Sequence, residues 1–198
     1  LKNKNVEIKS IRIDKVNFFG KKIGFIYLES EIYVDGIQVP GIGFIRGDSV
    51  AILLVLTAII DNEVELASKY TILVEQYRPN VGKFKKGIPA GMIDEEGQVT
   101  STAIKEIEEE VGELNIVEED LQYLIEFSPS SGGCDENVIL YAVEKDIDYD
   151  ELMKFQDRIT GSENENEVIK LDVLPLIDLE NANKGSKTWT SYNIFKEL

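Results

Sequence analysis

Three glutamates close together carry the most chemistry in this chain: Glu106, Glu109 and Glu110, within the run Lys105-Glu106-Ile107-Glu108-Glu109-Glu110-Val111-Gly112. On a helix, spacings of three and four put these carboxylates on one flank. Like charges so placed cost roughly 0.2–0.5 kcal/mol per pair in an isolated helix. Glu108 adds negative charge nearby, and Lys105 is the only base within the helix. Two readings are open. The run is a solvated acidic face, or a divalent cation relieves the repulsion. Hard ions such as Mg²⁺ take oxygen ligands and keep waters that a phosphate substrate can replace.

The helix that must carry these acids spans Val99 to Val111. Ala103, Ile107 and Val111, with Ile104 beside them, form its core-facing stripe. Thr100 or Ser101 can cap its start, and Gly112 stands where a left-handed C-terminal residue is wanted. A Gly/Pro/Ala loop from Gly87 and an acidic turn (Asp94, Glu95, Glu96, Gly97) lead into it. Before that loop, Tyr70 to Gln76 reads as a strand, and Tyr77-Arg78-Pro79 places Arg78 near the mouth of the helix. Arg78 reads equally as a phosphate contact or as the partner of a carboxylate. Val50 to Thr57 is an unbroken aliphatic run with β-branching, the pattern of a strand covered on both faces, turning at Asp61-Asn62 into its neighbour.

Further strands are expected at Leu121–Phe127, Val138–Val143 and Val168–Leu176. Ser128–Glu136 and Thr160–Glu167 are loops, and in the latter Glu163, Glu165 and Glu167 alternate. Alone, these three read as solvated acids. Asp146–Ile159 is expected to be helical or irregular. A helix begins at Leu176–Asn181, and a closing helix over Thr188–Leu198 has Trp189, Tyr192, Ile194 and Phe195 on its apolar side. At the start, Val6 to Val39 alternates apolar and polar residues, with turn signals at Gly20 and Asp35-Gly36, so a small antiparallel meander is expected. Pro40-Gly41 is the joint. The expected division is residues 1–42 as meander and 43–198 as an α+β sandwich domain. The meander is thin and must cover itself on the main domain, on a second copy of the chain, or on both.

Composition narrows the function. At 198 residues the chain can bury one substantial core. Its net charge of −16 argues against unaided binding to nucleic acid or an anionic membrane. There is no histidine, so His-based triads, His-ligated zinc and a His general base are excluded, and carboxylates must do any acid–base work. The single cysteine, Cys134, cannot form an intrachain disulfide, which fits a reducing compartment. No run reaches transmembrane length. A cytoplasmic location is expected, with a trimmed organellar targeting segment left open.

The order Gly91, acidic turn, helix, Lys105-Glu106-Ile107-x-Glu109-Glu110-x-Gly112 resembles the Nudix box, with the spacing intact from Gly91 to Gly112. The chain departs from the box at Gly97, where the family has Glu, at Lys105, where it has Arg, and at Glu113, where it has an aliphatic residue. Lys105 offers a point charge in place of a planar fork. Glu75–Lys83, Ile88–Asp94, Ser128–Glu136 (Ser131 in a proline's place) and Glu165–Leu176 resemble the ADP-ribose and ADP-sugar pyrophosphatase branch of that superfamily. The resemblance implies a Nudix-type α/β/α sandwich with a mixed sheet, and a homodimer that exchanges the N-terminal meander. It implies Mg²⁺, with Mn²⁺ as a substitute, on Glu106, Glu109, Glu110, Glu167 and the Ala90 carbonyl. It implies Glu165 as general base, or Glu163 if the loop register slips, and Arg78, Gly91, Gly133 and Glu136 as substrate-binding residues. The implied reaction is hydrolysis of the diphosphate bond of a nucleoside diphosphate sugar to a nucleoside monophosphate and a phosphosugar. A UDP-sugar or GDP-mannose pyrophosphatase, or a binding module with weakened catalysis, is the alternative.

Overall fold

A computed structural model describes residues 5–60, 63–93, 98–161 and 167–198, with backbone alone at 63–68. The acidic turn Asp94–Gly97 and the two acids Glu163 and Glu165 therefore lie outside the described residues. The chain divides into two compact units. One holds the chain up to Asp48 together with Ser128–Asn137, and so runs past the Pro40-Gly41 joint. The other holds Ser49–Phe127 together with Val138–Leu198.

The first unit is an antiparallel sheet of β1 (Val6–Phe19), β2 (Lys22–Val34), β3 (Ile37–Val39) and β4 (Ile42–Ile45), with β2 pairing all the others. Gly20 turns the first hairpin at φ +62°. Asp35 and Gly36, at φ +49° and +82°, turn the second, the paired positive angles that suit the twist of a two-residue hairpin. The sequence alternation of β1 slips twice, and β-bulges at Lys9 and Asp14 absorb both slips. Val6, Ile8, Ile11, Ile13 and Val16 thereby stay on one face, opposite Val34, Ile32, Ser30, Leu28 and Ile26 of β2. The Ser128–Asn137 loop belongs to this unit. The Phe44 N–H donates to the Gly133 carbonyl at 2.9 Å, and the Arg46 N–H to the Asp135 carboxylate at 2.8 Å.

The second unit is built on β5 (Ser49–Ile60), whose residues Ser49 to Leu56 are all buried. Val50, Ile52, Leu54, Leu56 and Ala58 enter one core cluster, and Ala51, Leu53 and Val55 the other. That is the period-two signature of a central strand covered on both sides. Around it run β6 (Glu63–Arg78), β7 (Lys83–Gly87), β8 (Ala90–Met92), α1 (Val99–Glu110), β9 (Gln122–Phe127), β10 (Val138–Asp148), α2 (Tyr149–Met153), β11 (Ile159–Thr160), β12 (Ile169–Pro175), α3 (Leu179–Ala182) and α4 (Ser186–Phe195). The sheet order is β11-β12-β6-β5-β10-β9, with β7 on β6 and β8 on β5. The β5–β10 pair is parallel and the other pairs are antiparallel. Ala103 and Ile107 of α1 and Leu152 of α2 close the first core. Leu179 of α3 and Tyr192 of α4 close the second. The result is the expected α/β/α sandwich on a mixed sheet.

Three local expectations are corrected. β10 continues to Asp148, where helix or irregular chain was expected, because its parallel pairing with β5 persists to Asp148↔Ile59. Only then does the Asp148 carboxylate accept the Asp150 and Glu151 N–H groups at 2.9 and 3.1 Å and start α2. At the start of α1 the cap is Gln98, and neither Thr100 nor Ser101 caps it. The hydroxyls of Ser101 and Thr102 instead donate to the Gln98 carbonyl. Trp189 is 46% exposed on α4, and the buried side of that helix is carried by Thr188, Ser191 and Tyr192.

Candidate active site

The site assembles where β8 passes the last turn of α1. β8 pairs antiparallel with β5 through Val50↔Gly91 and Ala51↔Ala90, which fixes its backbone. The Ala90 N–H donates to Glu110 Oε2 at 2.9 Å. One turn earlier, the Glu106 carboxylate lies directly over Gly91. A Cβ on Gly91 would stand 1.9 Å from its carboxyl carbon and from Oε1, so only glycine leaves room for it. β8 thus holds both carboxylates, one by a hydrogen bond and one by the absence of a side chain.

Glu110 is 4% exposed. Its carboxyl is raised from 4.5 to about 8, first by burial, against which the Ala90 hydrogen bond works, then by the fields of Glu106 and Glu167. Arg78, at the end of β6, pulls in the other direction. Glu167, just before β12, accepts a hydrogen bond from Gln76 Nε2 at 3.0 Å. Glu106, Glu110, Glu167 and Arg78 therefore share one electrostatic neighbourhood beside Ala90 and Gly91. Glu109 is turned to the flank, with Lys105 Nζ 3.6 Å away. Gly133 and Glu136 lie in the other unit, where Glu136 is 8% exposed and pairs with Arg46 at 3.5 Å.

These residues suit a hard dication. The donors are all oxygen, and the buried carboxyl among them is one that burial first, and neighbouring negative charge second, drives toward its neutral form. Among the described residues no three acids close into a tight cage. Sequence reasoning missed two participants. Gln76 lies two residues from Arg78 on the same strand face, a signal that was available. Thr160, whose hydroxyl donates to the Glu110 carbonyl, left no trace in the pattern.

The NUDIX domain matches residues 55–197. The chain belongs to the NUDIX domain family. Among curated proteins, this Nudix chain is 32% identical over 204 residues to Nudix hydrolase 14, chloroplastic, of Arabidopsis thaliana, covering 97% of the chain and 63% of that protein. It is 37% identical over 73 residues to the methanol dehydrogenase activator of Bacillus methanolicus, covering 37% of the chain and 38% of that protein. It therefore spans less than two thirds of either relative. The crystal structure of an ADP compounds hydrolase superposes with a TM-score of 0.59 at 17% identity, covering 96% of this chain and 95% of that one. At that identity the likeness is one of fold.

Proposed function

We propose that this Nudix chain hydrolyses the diphosphate bond of a nucleoside diphosphate sugar, ADP-ribose or an ADP-sugar, to a nucleoside monophosphate and a phosphosugar. The observation that carries the reading is the buried Glu110 carboxyl. It is held on the Ala90 N–H beside two further carboxylates and one arginine. A solvated acidic face would neither bury that group nor bring Glu167 to it from a distant part of the chain.

Glu106, Glu110 and Glu167, with Glu109 and the Ala90 carbonyl, would hold Mg²⁺, or Mn²⁺ in its place. Bound there, the ion would supply charge neutralisation at the phosphates and acidify water. Arg78 takes the phosphate charge, and Gly91 keeps the backbone low beneath Glu106. Glu165, outside the described residues, takes the proton of the attacking water. An ordinary carboxylate is ionised at neutral pH and can do so without histidine. The water oxygen bonds to phosphorus, the bridging P–O bond breaks, and the phosphosugar leaves.

The test is a substrate panel of ADP-ribose, ADP-glucose, UDP-glucose and GDP-mannose with Mg²⁺, Mn²⁺ or EDTA. The expected outcome is metal-dependent AMP release, fastest on the adenine compounds, with Glu110→Gln slower by at least ~100-fold. Equal rates for wild type and Glu110→Gln would remove Glu110 from the metal site. Saturable binding without turnover at any metal concentration would leave a binding module.

A further inference from the structure

The acids of the site come from two distant parts of the chain, and one short segment ties these together. β11 pairs with the start of β12 through Ile159↔Lys170 and Thr160↔Ile169. From β11 the Thr160 hydroxyl donates to the backbone carbonyl of Glu110, fifty positions away in sequence. The next residue, Gly161, has φ +109°, and a Cβ on it would stand 2.6 Å from the Glu167 carbonyl oxygen. Two residues before Thr160, the Arg158 guanidinium lies over the end of α1. Its Nη1 is 3.2 Å from where a Cβ on Gly112 would be. Residues 158–161 thus bond the end of the helix that carries Glu110 through Thr160, and pass close to Gly112 through Arg158 and to the Glu167 backbone through Gly161. The Glu167 side chain in turn accepts a hydrogen bond from Gln76 Nε2.

We infer that Thr160 is a positioning residue that sets the separation of the Glu110 and Glu167 carboxylates by clamping the last turn of α1 to the backbone of Glu167. This deepens the metal-site reading above and rests on it. A plain cap would account for the hydroxyl as well, since the last carbonyls of a helix lack intrahelical partners. The two roles differ in what else moves when the hydroxyl is removed. Outer partners that orient metal ligands cost about 10- to 100-fold in metal affinity when lost.

Thr160→Val keeps the shape and removes the donor, and Thr160→Ser restores the donor. Mn²⁺ affinity is titrated by electron paramagnetic resonance on the full chain. In metal-free protein the Gln76 side-chain amide signals are followed by NMR, because they report the bond to Glu167. The expected result is an affinity loss of about tenfold in Thr160→Val, with displaced Gln76 signals, and recovery of both in Thr160→Ser. A cap-only role lowers the stability of Thr160→Val but leaves Mn²⁺ affinity and the Gln76 signals unmoved, and that result overturns the inference. If wild type binds no Mn²⁺, the metal reading fails and the Gln76 signals alone decide this one: displaced and recovered upholds it, unmoved overturns it. Should Thr160→Val fail to fold, Gly161→Ala presses on the Glu167 carbonyl from the same segment. It is expected to displace the same signals, and unmoved signals there overturn the inference equally.

Discussion

Glu110 holds its proton to about pH 8 in the metal-free protein, far above the ordinary 4.5. A carboxyl whose folded value is raised binds its proton more tightly in the native state than in the unfolded chain. The stability this gives is whole below about 4.5 and is lost as pH rises toward about 8. Glutamine keeps the shape without the charge. In EDTA, wild type is therefore expected to lose a few kcal/mol relative to Glu110→Gln between pH 5 and 9. Urea unfolding at each pH measures this, and superimposable profiles would contradict the assigned burial. Among the site residues, the acids of α1 were legible because their spacing is helical. Gly91 was expected from its place ahead of the acids to bind substrate, whereas the carboxylate of Glu106 that lies against it appears only in three dimensions. Thr160 was not legible, because a hydrogen bond across fifty positions leaves no periodicity to read.

At the scale of elements, the β6–β7 hairpin has a consequence for binding. Arg78 faces Lys83 across it, Gln76 faces Lys85, and Val74 faces Gly87. Cross-strand partners share a face, and Val74 enters the same core cluster as Ala103 and Ile107 of α1. Lys83 and Lys85 therefore extend the cationic strip of Arg78 on the side of the sheet that carries the site acids. Both lysines are exposed, and neither has an ion pair among the described residues. In a chain of net charge −16, such a strip favours an anionic substrate. The Lys83→Gln/Lys85→Gln double variant is expected to raise KM by about three- to tenfold with kcat retained, and to flatten the dependence of KM on ionic strength. Lysine-to-arginine replacements should keep both. A fall in kcat at constant KM would mean the lysines act elsewhere. Element identities were largely legible, because apolar periodicity and turn residues are local. The ends of β6 and β10 were not, since a strand continues for as long as its neighbours offer hydrogen bonds.

For the molecule as a whole, the apolar face of the N-terminal sheet calls for a partner. Val6, Ile8, Ile11 and Ile13 are each more than half exposed on a strand whose outer edge has no neighbour among the described residues. We propose that this face meets a second copy of the chain. Light scattering after size exclusion is expected to give a dimer, and Ile11→Glu/Ile13→Glu a monomer that keeps the circular dichroism of the parent. A monomeric parent would sink the dimer. The composition pointed to such a need, since a meander this thin cannot bury its own apolar residues, but no pattern within one chain names its cover. The parallel pairing of β5 with β10 has a consequence during synthesis. Its two members are separated by β6 to β9 and α1. While β10 is still inside the ribosome, β5 has emerged with one long edge bare and eight residues that the finished protein hides from water. A nascent chain at that stage is a natural client for a chaperone.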